Sequence, residues 1–289
     1  MIEGGALHSA WLWQAGVLDP QGPIGAAERT ILLNATVIML AVIGPIIVLT
    51  LVFAWWFRSS NRRARHVPDW SYSGRIELVT WSIPALVIMF LGGIAWIGAH
   101  DLDPPRPIHS TKSPLDIEVV SLDWKWLFIY PDQGIASINR LVVPASTPIR
   151  FRLTSASVMN SFFVPQLGSQ IYTMAHMTTR LNLQADRPGI YRGLSAQFSG
   201  AGFSDMGFNV VALPASEFAQ WLAATRARGG KLDASGYAAL ARPSIATPAA
   251  TFGAVEPQLF ETAVMGDAIA SAKPRVSVPV GTTSGRAAN

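Results

Sequence analysis

The sequence predicts a membrane-anchored all-β protein in which a two-helix transmembrane hairpin precedes a periplasmic β-sandwich and a C-terminal helical extension. Two long apolar runs lie before residue 100 and none follows, which separates an anchor from a water-exposed part. The stretch between the runs carries Arg58, Arg62, Arg63, Arg65 and Arg75 against the single carboxylate of Asp69, the charge bias of a loop held on the cytoplasmic side. Beyond residue 114 the apolar residues alternate in short runs divided by turn residues, the pattern of strands with one buried face.

Residues 1–30 form a lead-in. Ala6-Leu-His-Ser-Ala-Trp-Leu-Trp13 is as apolar as the core of a secretion signal, but Glu3 is the only charge before Asp19, so the basic segment of such signals is missing. Two readings stay open: a processed or mis-started signal, or an interfacial segment with Trp11 and Trp13 in the headgroup layer. Residues 31–57 are expected to be the first transmembrane helix. At 1.5 Å per residue the run is roughly 40 Å long against a hydrocarbon core of about 30 Å, so it must tilt or protrude. Gly44-Pro45 predicts a kink near its middle, because proline removes a backbone hydrogen bond. Trp55-Trp56 close the span just before Arg58, and residues 58–75 form the basic inner loop. Residues 76–100 are the second span, with Glu77 at its start and Pro84 soon after.

Residues 101–114 are a proline-rich linker, and residues 115–213 are the β domain. Leu115–Leu122 alternates through Ile117 and Val119, Ile149, Phe151 and Leu153 alternate with Arg150 and Arg152, and Leu181 and Leu183 alternate within 178–184. Asp132-Gln-Gly134, Pro144, Pro165 and Arg187-Pro-Gly189 supply the turns. Residues 214–268 are read as the helical extension, with helices over 216–228, 235–241 and 258–265. Residues 269–289 lack any core-forming pattern, and disorder is expected there.

Composition narrows the function. Charged residues make up 14% of the 289, too sparse for a phosphate-binding surface despite a net charge of +4, so nucleic acid is excluded as a partner. There is no cysteine, which excludes disulfides, thiolate metal sites, cysteine nucleophiles and S-linked lipid. No GxGxxG, P-loop or Ser-His-Asp arrangement is present, and no residue is assigned a catalytic role.

Three segments carry a more specific signal: Val119-Val-Ser-Leu-Asp-Trp-Lys-Trp-Leu-Phe-Ile-Tyr-Pro131, Ser157-Val-Met-Asn-Ser-Phe-Phe-Val-Pro165 continued by Leu167-Gly-Ser-Gln-Ile-Tyr172, and Phe198-Ser-Gly-Ala-Gly-Phe-Ser-Asp-Met206. With the hairpin, they resemble subunit II of haem–copper ubiquinol oxidases of the cytochrome bo type, over about residues 18–265. The resemblance implies a cupredoxin-like fold for residues 115–213. In the related cytochrome c oxidases this domain holds a binuclear copper centre in C-x-E-x-C-x-x-x-H-x-x-M, with a further histidine from H-S-x-x-V-P. On that pattern Ser195 and Ser199 stand at the cysteines, Gln197 at the glutamate, Phe203 at one histidine and Asn160 at the other, and only Met206 is kept. Such a centre needs bridging thiolates and imidazoles, so these positions are expected to bind no metal.

The resemblance also implies that this chain carries no cofactor. Haems and copper are expected in a partner subunit I, where ubiquinol would be oxidised. Subunits III and IV are expected beside it, with lipid around the hairpin. The expected setting is the inner membrane of a bacterium, with both termini and the β domain periplasmic. Many such subunits carry a lipidated cysteine near the mature N-terminus; its absence leaves attachment to the helices.

Glu77 has two readings. A carboxylate at a helix N-terminus is stabilised by the macrodipole, and an ionisable group within a span marks a proton path. The family's matching glutamate lies at the mouth of the proton-uptake channel into subunit I, which implies that role for Glu77. Trp124 and Trp126 match the aromatic patch through which cytochrome c oxidases accept electrons. Without copper beneath, they are expected to pack or dock rather than carry current. Met174-Ala-His-Met177, with Met159 or Met206, supports the alternative of a membrane-tethered periplasmic copper carrier with soft ligands; against it, methionine commonly fills core gaps.

Overall fold

The computed structural model describes residues 16–65, 67–69 and 71–266. The lead-in through residue 15, with Trp11 and Trp13, and the tail expected to be disordered lie outside them. Two long helices come first: α1 (Pro23–Trp56) and α2 (Gly74–Asp101). Both are long and apolar enough to cross a membrane, and their apolar side chains are largely exposed. The helix of α1 continues through Pro45.

α1 starts at Pro23, ahead of the Ile31 that hydropathy marks, because Pro23 occupies the first turn, where its fixed φ suits the helix and its missing N–H costs nothing. The outer turns carry Glu28, Arg29 and Thr30 and seat on the β domain instead of continuing the apolar span. Gln21 N donates to Gln166 O at 2.7 Å, Gly25 N to Leu167 O at 3.1 Å, and Asp186 N to Gln21 O at 2.8 Å. Ser169 Oγ donates to the Glu28 carboxylate. A Cβ on Gly22 would lie 2.1 Å from the Gln184 carbonyl oxygen, so only glycine permits this approach. The linker is tied to the same region, with Asn182 N donating to Pro104 O at 2.9 Å and Asn182 Nδ2 to Arg106 O at 3.1 Å.

The β domain contains β1 (Leu115–Leu122), β2 (Lys125–Tyr130), β3 (Ile135–Ile138), β4 (Arg140–Pro144), β5 (Ile149–Ser155), β6 (Asn160–Phe163), β7 (Ile171–Thr173), β8 (Thr179–Leu183), β9 (Gly189–Ser195) and β10 (Gly207–Leu213). After them come α3 (Ala215–Arg228), β11 (Gly230–Leu232), α4 (Ala234–Leu240), β12 (Ala250–Val255) and α5 (Leu259–Met265). One sheet runs β11-β12-β3-β2-β1-β5-β8 and the other β4-β10-β9-β6-β7. The main core lies between them and includes Ile117, Val119, Trp126, Phe128, Phe151, Phe162, Phe208 and Val210. A second core on the outer face of the first sheet gathers Val120, Leu122, Leu127, Ile129, Leu232, Tyr237, Leu259 and Phe260. With both faces covered, β2 is buried throughout, which is why Trp126-Leu-Phe-Ile-Tyr130 reads as an unbroken apolar run. β5 keeps the alternation because one face stays open to water.

The extension adds two strands that its sequence does not announce. β12 pairs with β3 and β11 with β12, so residues 230–255 lengthen the first sheet. Ala250-Thr-Phe-Gly-Ala-Val255 mixes strand formers (Thr251, Phe252, Val255) with Ala and Gly and lacks a clear alternation, and it is a strand through its pairing with the edge of β3. α5 is fastened by Arg152, whose guanidinium pairs with Glu118 at 2.9 Å and Glu261 at 2.7 Å and lies 4.8 Å from the Phe260 ring centroid. The parallel register of β1 and β5 sets Arg152 beside Glu118 and Arg150 beside Asp116.

Lys125 is 1% exposed. Its ammonium donates to the carbonyls of Asp123 and Arg242, both at 2.9 Å, and to Ser244 Oγ at 2.7 Å, pinning the extension to the β1–β2 turn. Burial pulls its pKa below the ordinary lysine value, with the nearby Asp123 opposing. In the window between the lowered folded value and the unfolded one, the unfolded chain binds the extra proton. Through that window Lys125 therefore adds stability as pH rises. Lys125→Met is expected to cost about 1–2 kcal/mol by leaving carbonyls without a donor, and to remove this alkaline gain. Urea unfolding of the full chain in detergent, at neutral pH and in the alkaline window, checks both.

Candidate functional site

The positions singled out by the copper pattern meet at one end of the sandwich. β6 begins at Asn160, β9 ends at Ser195, and the chain from 196 to 206 returns to β10. Asn160 and Ser195 are buried, at 1% and 4% exposure. Ser195 Oγ lies 3.2 Å from both Asn160 Oδ1 and Gln197 O, to either of which it can donate, and it accepts from Ser161 N at 3.5 Å. Asn160 Nδ2 donates to Val158 O at 3.2 Å and Ser121 Oγ at 3.4 Å, and Ser121 Oγ meets Thr173 Oγ1 at 2.9 Å. The result is a closed chain of short polar side chains whose hydrogen-bonding capacity is spent on one another and on the backbone.

Met206 is 1% exposed, and its Sδ accepts from Ser199 Oγ at 3.8 Å. Phe203 packs edge-on against Phe198, with ring centroids 5.5 Å apart. Asn160 and Ser195 thus meet, as do Ser199 and Met206. Gln197 takes part through its backbone, and Phe203 through an aromatic contact. Hydroxyl, amide and thioether groups of this kind offer no thiolate to bridge two ions and no imidazole to complete a shell.

The two tryptophans separate. Trp126 is fully buried, in an edge contact with Phe162 at 5.4 Å, and its Nε1 donates to Met206 O at 3.3 Å. It therefore leaves the expected docking patch and belongs to the core, because its place in β2 turns it between the sheets. Trp124 is half-buried beneath the loop, its Nε1 donating to Ser199 O at 2.9 Å. A Cβ on Gly202 would lie 2.5 Å from Trp124 Cδ2, so the indole fills the space that this glycine leaves.

Around this end the exposed surface is apolar: Val158, Met159, Met177 and Phe198, the last 71% exposed. The bridge of Ser155 with Ala175 brings the segments that carry Val158 and Met177 together. His176 is exposed, and its Nδ1 lies 3.2 Å from Val264 O, so the ring that a soft-ligand copper site would use is engaged by α5. Among the described residues no group of three His, Cys, Asp or Glu stands in metal-binding proximity.

Glu77 lies in the first turn of α2, exposed, with its backbone N donating to Ser73 O at 3.0 Å. Its carboxylate makes no ion pair among the described residues. Lys125 and Glu28 do not stand out in the sequence, because Arg242, Ser244 and Ser169, which they meet, lie far along the chain. A lysine inside an otherwise apolar strand run was the one visible sign of the first.

The family profile described as "Cytochrome C oxidase subunit II, periplasmic domain" matches residues 132–213, and that described as "COX Aromatic Rich Motif" matches residues 226–266. The chain is similar to the cytochrome bo(3) ubiquinol oxidase subunit 2 of Pseudomonas aeruginosa, with 49% identity over 244 residues, covering 84% of this chain and 74% of that protein. The ubiquinol oxidase subunit 2 of Acetobacter aceti is 48% identical over 265 residues, covering 90% of this chain and 86% of that protein. Among solved structures, the periplasmic domain of subunit II of cytochrome oxidase from Bradyrhizobium japonicum aligns at 24% identity and a TM-score of 0.38, covering 40% of this chain and 96% of that one.

Proposed function

This chain belongs to the subunit 2 family of haem–copper ubiquinol oxidases, and from that premise we propose that it docks on the haem-bearing subunit I and supplies, in Glu77, a carboxylate at the proton-uptake entrance. As a subunit of an oxidoreductase complex it is anchored in the membrane by two helices. Its β domain stands in the periplasm, both termini face the same side, and the basic loop faces the cytoplasm across the bacterial inner membrane. Subunits III and IV complete the assembly.

Electrons from ubiquinol enter at subunit I, which carries the haems and copper, and oxygen takes them up there together with protons to form water. The β domain holds no station on that path. The observation that carries this reading is the closed hydrogen-bond chain of Asn160, Ser195, Ser121 and Thr173 where the copper pattern calls for thiolate and imidazole. The apolar end of Val158, Met159, Met177 and Phe198, with Trp124 behind it, is the face offered to subunit I.

Mild-detergent purification through a tag on this chain tests the reading. The expected eluate shows reduced-minus-oxidised haem bands, oxidises ubiquinol, leaves reduced cytochrome c untouched, and binds no stoichiometric copper to this chain. Copper bound to this chain, with no haem partner in the eluate, overturns the reading in favour of a copper carrier.

A further inference from the structure

The loop between α1 and α2 is more than a topology signal. We propose that its basic turn is a binding site for an anionic phospholipid headgroup. A cleft of ≈ 590 Å³ is lined by Phe57, Arg58, Asn61, Arg65 and Val67, among others. The turn is organised before any ligand arrives. Asn61 Nδ2 donates to Trp56 O at 2.6 Å, capping a free carbonyl of α1, while Asn61 Oδ1 accepts from Arg63 N at 3.1 Å. Arg58 is held over the Trp55 ring, 5.2 Å from its centroid, with Nη1 donating to Trp55 O at 3.1 Å and Nε to Ser60 Oγ at 2.9 Å.

None of these contacts neutralises charge. Among the described residues Arg58, Arg62, Arg63, Arg65 and Arg75 form no ion pair, whereas Arg106, Arg150 and Arg152 of the β domain and its linker all do. The second terminal nitrogen of Arg58 makes no hydrogen bond among the described residues. A guanidinium fork of this kind matches two oxygens of a phosphodiester.

Position chooses the source of that phosphate. The cleft opens where the apolar helix ends, just past the exposed rings of Trp55 and Trp56, and its lining sets Phe57 and Val67 beside Arg58 and Arg65, so apolar and cationic groups lie side by side. That combination fits a lipid, with acyl chains along the helix end and headgroup at the arginines, better than a free ion in water. The cleft belongs to the hairpin alone, and a lipid held there is independent of the role given to Glu77.

Native mass spectrometry of the delipidated full chain, titrated with phosphatidylglycerol, chain-matched phosphatidylethanolamine or inorganic phosphate, tests the site. Phosphatidylglycerol is expected to bind more tightly than phosphatidylethanolamine. The preference should fall about fivefold for each of Arg58→Gln and Arg65→Gln and weaken with salt. The double variant Arg58→Lys with Arg65→Lys, which keeps charge and insertion, is expected to bind at an intermediate level, because the fork is lost and the charge remains. Equal binding of the two lipids, a preference unchanged in both glutamine variants, or inorganic phosphate binding as tightly as phosphatidylglycerol overturns the proposal.

Discussion

Phe162→Ala is expected to destabilise the β domain by about 4 kcal/mol, the range for removing a buried phenyl ring from a packed core. Phe162 is fully buried in β6 and is the ring on which the two sheets meet. It stacks on Phe208 at 5.0 Å, and meets Phe151 and Trp126 at 5.4 Å and Phe128 at 6.5 Å. Its neighbours belong to three strands, β2 and β5 of one sheet and β10 of the other, so no single backbone shift closes the cavity that alanine leaves. Urea unfolding of the full chain in detergent, followed by tryptophan fluorescence, reads the loss directly, since Trp126 borders the cavity. Phe198→Ala serves as the control: that ring is 71% exposed, and a change within about 0.5 kcal/mol is expected. A Phe162→Ala variant as stable as the control would show that the sheets are held together elsewhere.

Glu77→Gln is expected to slow oxygen turnover by the assembled oxidase about tenfold. A proton donor placed at a reacting atom contributes upwards of ~100-fold; a carboxylate at the outer mouth of a path contributes less, because bulk water competes with it. Glutamine keeps the length and the hydrogen-bonding reach of the side chain while removing its exchangeable charge. The backbone bond from residue 77 to Ser73 O is untouched, so α2 should start as before. A purely structural carboxylate, stabilising the helix end through the macrodipole, would act differently: assembly yield would fall and turnover per haem would hold. Turnover per haem and haem content, measured across a pH series on the purified complex, separate the two. Unchanged turnover per haem at every pH removes Glu77 from the proton path.

What the sequence made legible is what depends on local pattern. The apolar runs of α1 and α2, the alternation of Ile149 to Thr154 in β5 and the turn residues around 132–134 and 187–189 each state their own conformation over a few residues. The stretch from Ser195 to Met206 could be laid on a copper-loop template from its spacing alone; in the structure Ser195 lies against Asn160 and Ser199 against Met206. Strands β11 and β12 were not legible, since Ala250–Val255 pairs with the edge of β3 and Gly230-Lys-Leu232 in turn with β12, partners far away in the sequence. The start of α1 was missed because Glu28, Arg29 and Thr30 interrupt the hydropathy signal while the helix continues. Trp124 and Trp126 look equivalent in the motif, and only the register of β2 sends one to the core and leaves the other under the loop. Lys125 stood in the same motif with nothing to show that Arg242 and Ser244 would receive it.

The seat of α1 on the β domain sets an order of events during synthesis. Glu28 and Ser169 are 141 positions apart, and Asp19 and Gln166 are 147 apart, so neither contact can form while the hairpin is inserting. The hairpin forms with the outer turns of α1 still unattached, and the stretch through Gln184 must be made and folded before Gly22 can close against Gln184. Closing so large a loop is slow compared with helix formation. The junction therefore settles only after the hairpin has formed, joining two parts of the chain that take shape separately.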